Sequence, residues 1–174
     1  MTLLQFEFSK VGEYWKLFAS GFNFRRHIGR IESLENVEEF IITRSAFIAQ
    51  KTLFGYVKTR MGTKYPEMFR DDIIIRSVNI AKMHAYAACL SDFCVWAVPV
   101  DEAEALTRDE FTESPAAIVD WAPISDELKK YDIEYVENSV KFAWANIRRQ
   151  FEKRLDRDAL AARTAGLATG GAAE

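Results

Sequence analysis

The stretch that decides the fold is residues 73–98, IIIRSVNIAKMHAYAACLSDFCVWAV. As a helix it makes about seven turns and places apolar side chains on nearly every side. A helix that is apolar all round is buried in a protein core or spans a membrane. Arg76, Lys82 and Asp92 are spread along the segment, and charged side chains at such intervals argue against a bilayer. We therefore expect an all-α bundle whose central helix runs at about 72–98.

A second long helix is predicted at about 34–61. Its apolar residues recur every seven positions, at Phe40, Phe47, Phe54 and Met61. That spacing is typical of near-parallel neighbours in a bundle, and it marks an interface if the seam stays exposed. Ser33 or Asn36 can cap the beginning of this helix, and Gly62 can end it.

The C-terminal part predicts a third long helix at about 126–155, with short helices near 9–20 and 115–121. The short helix at 115–121 is expected to begin with Ser114 as its cap and Pro115 in its first turn. From about residue 156 to residue 174 we expect a flexible tail rich in Ala and Gly. The fold predicted is therefore a single helical domain at 1–155. The buried stripe expected on the third long helix is Leu128, Tyr131, Val136, Val140, Ala143, Ile147 and Phe151.

The amino-acid composition is that of a folded protein with a large apolar content, and it does not indicate a particular partner. Hydrophobic residues make up 49% and aromatic residues 13% of the chain, so a dense core or an adhesive surface is expected. The net charge of −3 is too small to indicate a nucleic-acid partner. The first residues, MTLLQFEF, lack the basic region and apolar run of a secretion signal, and we expect a cytoplasmic protein.

His84 and Ser91 are the candidates for catalysis within the central segment. On a helix, Ser91 lies about 10 Å further along the axis than His84, whereas a nucleophile and its base must be in hydrogen-bond contact. No GxSxG motif supplies another nucleophile. The sequence therefore favours a structural role for His84. A hydrolase or small-ligand protein remains the alternative if another helix contributes to a site at His84.

No metal or cofactor is expected. Helical two-metal sites need Glu-x-x-His pairs on facing helices, and the sequence has none. Cys89 and Cys94 are five residues apart on one predicted helix and point about 140° apart around its axis, so they cannot form a disulfide with each other. No glycine-rich run that could hold a phosphate occurs before residue 166.

The N-terminal region carries the candidate binding residues. Aromatic and basic side chains alternate there, and they could dock on the acidic C-terminal half of the chain, bind a partner protein, or anchor the protein to an anionic membrane surface. One short basic cluster is too narrow a positive footprint to indicate nucleic acid. The residues are Trp15, Phe22, Phe24, Arg25, Arg26, His27 and Arg30.

Two blocks of sequence resemble a known family. They are TRSAFIAQKTLFGYVKTRMGTKYPEMF with VNIAKMHAYAACLSDF, and FTESPAAIVDWAPISDELKKYDIEYVENSVKFAW. Together they resemble a family of uncharacterised alphaproteobacterial proteins that are sometimes labelled "esterase". The resemblance covers roughly residues 22–150, and this chain is short between the two blocks. It implies a bacterial, cytoplasmic protein and offers no established catalytic residues.

Three functional hypotheses follow from these observations. The first is a non-enzymatic helical protein that acts through protein–protein interaction, as a homodimer or with another protein. The second is an esterase-like hydrolase or small-ligand-binding protein that uses His84. The third is peripheral membrane association through the aromatic and basic N-terminal residues.

Overall fold

Six α-helices and one 3₁₀ helix make up the part of the chain that the structure describes. The structure is a computed structural model, and it describes residues 29–97 and 113–170. Between these bounds it contains no β-strand, which confirms the predicted all-α class. None of the helices described is long and apolar enough to cross a membrane. The elements are α1 (Leu34–Met61), the 3₁₀ helix (Gly62–Arg70), α2 (Asp72–Ala97), α3 (Glu113–Trp121), α4 (Asp126–Lys129), α5 (Ile133–Arg154) and α6 (Arg157–Gly170).

Helix α1 begins and ends where its capping residues predict. The hydroxyl of Ser33 accepts a hydrogen bond from the backbone N–H of Asn36, at 3.4 Å, and satisfies one of the first free donors of the helix. At the other end Gly62 has φ of 55°, a conformation that residues with a Cβ rarely adopt, and its N–H bonds to the carbonyl of Lys58. The predicted second helix is therefore confirmed.

Aromatic rings from α1, α2 and α5 meet in the core. The ring of Phe40 lies 6.0 Å from that of Phe93 and 5.3 Å from that of Phe151, measured between centroids. Phe93 stacks on Trp144 at 4.7 Å. Such pairs contribute about 0.5–1.5 kcal/mol each beyond their buried area. The heptad of α1 supplies this core, since Phe40 is fully buried and Phe47, Phe54 and Met61 pack against the cluster. The α1 seam is thus not an exposed interface.

Helix α2 is central, but one of its faces is open. It packs against α1 on one side and α3 on another, and Val78, Ala81, Ala85, Cys89 and Phe93 are buried there. Ile73, Ile80 and Met83 are exposed instead, although the sequence shows no wide polar face on this helix. A shallow groove runs along this open face, and its lining residues are Asp72, Ile75, Arg76, Asn79, Ile80 and Met83.

The predicted helix at 126–155 is interrupted at residues 130–132, where the carboxylate of Asp132 is buried in the core. Asp132 is fully buried and accepts hydrogen bonds from the hydroxyl of Tyr56, at 2.6 Å, and from Nε of Arg60, at 2.7 Å. The second carboxylate oxygen pairs with a terminal guanidinium nitrogen of Arg60. The chain turns at residues 130–132 to reach these partners, and α5 begins immediately afterwards. Leu128 and Tyr131 are consequently exposed, and their prediction as buried residues is wrong.

The chain after residue 156 is helical where we expected a tail without structure. Asp156 accepts a hydrogen bond from the backbone N–H of Ala159, at 3.1 Å, and so caps α6. The alanines of this segment have the highest helix propensity of any residue. An ion pair between Arg163 and Glu32, at 3.2 Å, connects α6 to the residues just before α1. Residues 157–170 are thus helical, and the flexibility expected of the segment stays a prediction.

We predict that replacing Asp132 with Ala lowers the free energy of unfolding by about 3 kcal/mol, because Arg60 and the buried Tyr56 hydroxyl both lose their partner. Replacing Tyr56 with Phe removes one hydrogen bond and should cost about 1 kcal/mol. Urea unfolding followed by circular dichroism measures both values. Equal losses in the two variants would contradict the anchoring role of the carboxylate.

Candidate interaction surface

His84 packs against an aromatic ring of a neighbouring helix. Its imidazole stacks on the indole of Trp121, with ring centroids 3.4 Å apart and planes within 4°. The contact holds the end of α3 against α2. Ser91 lies on the same helix, about 10 Å further along the axis, so the structure does not bring the serine and the imidazole together as a dyad.

Asp92 lies beside the beginning of α3. One carboxylate oxygen accepts hydrogen bonds from the backbone N–H of Ser114, at 2.9 Å, and from the Ser114 hydroxyl. The other accepts from the N–H of Glu113, at 3.4 Å. A carboxylate from α2 therefore caps α3, where the free N–H groups carry a partial positive charge. Ser114, predicted to be the cap, lies inside the first turn, and the helix begins at Glu113 rather than near residue 115.

Burial governs the acid–base behaviour of this region. Burial raises the pKa of Asp92, although the hydrogen bonds from Ser114 and Glu113 act in the opposite direction. Burial also raises the pKa of the Cys89 thiol to about 12, which keeps it protonated and a poor nucleophile at neutral pH. Cys94 is half-buried and its pKa is raised for the same reason. Both cysteines are free thiols, as their spacing predicts.

The acidic, cysteine and histidine side chains offer no metal centre within residues 29–97 and 113–170. No three of them come together there in a group that could hold an ion. The Asp92 carboxylate is instead engaged by the first turn of α3, and the Asp132 carboxylate by α1. Both buried carboxylates of this region thus serve to hold helices together.

Of the predicted N-terminal binding residues, only Arg30 falls within the described part of the chain. Its guanidinium lies 3.6 Å from the carboxylate of Asp156, and three quarters of its side chain is exposed. An exposed pair of this kind contributes little to stability. The other six lie outside the described residues: Trp15, Phe22, Phe24, Arg25, Arg26 and His27.

The outer side of α5 carries large exposed side chains. Phe142 is 71% exposed and Tyr135 is 46% exposed, whereas Val136, Val140 and Ile147 on the inner side are buried. Tyr135, Phe142 and Arg149 are seven residues apart, so they line up along one side of the helix at intervals of about 10.5 Å. With Asn138 and Ala145 between them they form a continuous strip, which we call the α5 face.

This surface could have been found in the sequence. The segment carries two seven-residue patterns, one through Val136, Val140 and Ala143 and another through Tyr135 and Phe142. The predicted buried stripe includes only the first pattern, together with Leu128 and Tyr131. An exposed aromatic series beside a complete buried stripe is the signal for a second packing surface.

Comparisons of the chain with protein-family models, with curated proteins and with solved structures found no match. Among the described residues Tyr131 is the most exposed aromatic side chain, at 83%, but it lies in the turn before α5. The α5 face combines the exposed ring of Phe142 with a regular helical arrangement.

We predict that the difference in unfolding free energy between the wild-type protein and an Asp92→Asn variant depends on pH. The raised pKa of Asp92 means that its carboxyl group holds a proton more tightly in the folded state than in the unfolded state, where the pKa is 3.8. Protonation of Asp92 stabilises the folded state fully at a pH below the pKa of the unfolded state. This stabilisation is lost as the pH rises through the higher pKa of the folded state. Wild type should therefore gain stability relative to the variant as pH falls from 7 towards 4.

The measurement is urea unfolding of both proteins across that pH range. Other titrating groups are common to the two proteins and cancel in the difference. A difference that stays constant with pH would contradict the assignment of a buried, destabilised carboxylate to Asp92.

Proposed function

We propose that this protein is a non-enzymatic helical interaction protein that associates with a second copy of itself through the α5 face. The observation that carries the proposal is the exposure of Phe142 at the middle of α5. Burial of a phenylalanine side chain contributes about 1.5–3 kcal/mol, and a symmetric contact gains this twice. The bacterial, cytoplasmic context suggested by the family resemblance is part of the same proposal.

The size of the surface indicates a reversible dimer. A contact through one helix from each copy buries less than the roughly 1,200 Å² of a standard stable interface. We therefore expect association that depends on concentration, with a dissociation constant in about the micromolar range. A permanent dimer would need further contacts beyond the α5 face.

The esterase-like alternative has weaker support. His84 has its ring face against Trp121, and Ser91, the serine considered as its partner, lies about two helical turns away. The membrane alternative depends on N-terminal residues, most of which lie outside the described part of the chain. Neither alternative has an observation comparable to the exposed aromatic face of α5.

We predict that Phe142→Glu abolishes self-association, because it replaces the central apolar contact with two like charges that face each other. The dissociation constant should rise at least about a hundredfold, the equivalent of 2.7 kcal/mol or more. Sedimentation velocity over about 1–100 µM protein measures it, a range that spans the expected constant.

Ile73→Glu is the matched control. Ile73 is 78% exposed and apolar but lies on the open face of α2, so this variant should associate like the wild type. Both substitutions are at the surface and should change stability by less than about 0.5 kcal/mol. A wild-type protein that stays monomeric throughout the range, or equal effects of the two substitutions, would overturn the proposal.

A further inference from the structure

We infer that the two copies pair with their α5 helices antiparallel, related by a two-fold axis close to Phe142. The inference rests on the proposed self-association and specifies its geometry. Three features of α5 support it: the distribution of charge along the helix, the position of Phe142, and the residue that lies at each end of the α5 face.

Charge along α5 is divided between its two ends. Glu134 and Glu137 lie in the first two turns of the helix, and the exposed Lys141 follows them just before Phe142. Arg148, Arg149, Lys153 and Arg154 lie in the second half, with Glu152 as the one acidic residue among them. Glu134, Arg149 and Lys153 are exposed. The helix therefore presents an acidic end and a basic end to a partner.

This division distinguishes the two possible orientations. A parallel pair would place Glu134 against Glu134 and Arg149 against Arg149, and like charges in contact oppose association. An antiparallel pair places the acidic end of each helix against the basic end of the other, so both ends attract. The same arrangement opposes the two helix dipoles, which is also favourable.

The aromatic residues agree with the antiparallel register. Phe142 lies near the midpoint of α5, which runs from Ile133 to Arg154. With a two-fold axis at this point, Phe142 of one copy packs against Phe142 and the small residue Ala145 of its partner copy. Large and small side chains alternating across a contact allow helices to pack closely.

The ends of the α5 face then complement each other. Tyr135 and Arg149 are each seven residues from Phe142, on the same side of the helix. In the antiparallel pair the phenol ring of Tyr135 in one copy lies beside the guanidinium of Arg149 in the other, and the contact occurs twice. An arginine guanidinium over a tyrosine ring is a favourable cation–π contact. The interface is isologous and closes as a dimer.

Cysteine cross-linking distinguishes the orientations. Glu134→Cys and Lys153→Cys are made separately in a Cys94→Ala background, since the Cys89 thiol is buried and its pKa is raised to about 12. In the antiparallel pair position 134 of one copy lies opposite position 150 of the other, and position 153 is about 4.5 Å further along the axis, within reach of a short cross-linker. The two residues 134 of the dimer, or the two residues 153, are then about 25 Å apart or more, as calculated from the rise per residue of the helix. A bis-maleimide that reaches about 10 Å cannot span that distance.

The expected result is a covalent dimer when the two variants are mixed, and little or none when either is treated alone. Cross-linking of each variant to itself would establish the parallel orientation and overturn the inference. Absence of any cross-link would also overturn it if sedimentation shows that the same variants dimerise. If neither the wild type nor the variants dimerise, the proposed function itself fails. The Cys94→Ala protein without a new cysteine is the background control.

Discussion

The buried carboxylate of Asp132 is the constraint on which the arrangement of α5 depends. It joins the end of α1, through Tyr56 and Arg60, to the residue immediately before α5. A buried charge of this kind is costly unless its partners satisfy it, so the chain has one acceptable position here. Because that position is fixed, the rotation of α5 about its own axis is fixed as well. The buried stripe that begins at Val136 faces the core, and Phe142 faces outwards. Tyr135 is about half exposed, with its hydroxyl 3.3 Å from that of Thr59.

The same principle operates at α3. Asp92 holds the first turn of α3 by accepting its N–H groups, and the ring of His84 holds the other end of that helix through Trp121. Apolar burial supplies most of the energy of the fold, as it does in other helical bundles. Burial alone is not directional, however. The polar contacts of Asp92 and Asp132 fix where α3 and α5 begin.

The distinction between local apolar periodicity and long-range polar contacts explains which parts of the structure can be predicted from the sequence. The bounds of α1 and α2 could be predicted because capping residues and apolar periodicity are local properties of the chain. The break before α5 could not, since it depends on Asp132 meeting Arg60, which is 72 residues away in sequence. The outward position of Tyr131 is a consequence of that long-range contact. The α5 face could have been predicted, because its seven-residue pattern is visible in the sequence.

The central helix and the proposed contact surface are different parts of the molecule. Residues 73–97 contribute to the core, and their one histidine packs against Trp121 of α3. A side chain committed to that contact has little freedom to serve a substrate. On the α5 face Phe142 is 71% exposed, while the inner stripe of the same helix fills the core. Tyr135, at one end of the face, has its hydroxyl 3.3 Å from that of Thr59 in α1. An exposed phenylalanine at the middle of α5 gains free energy when a second surface covers it. Its position between an acidic and a basic end of the same helix is the basis of the proposed self-association.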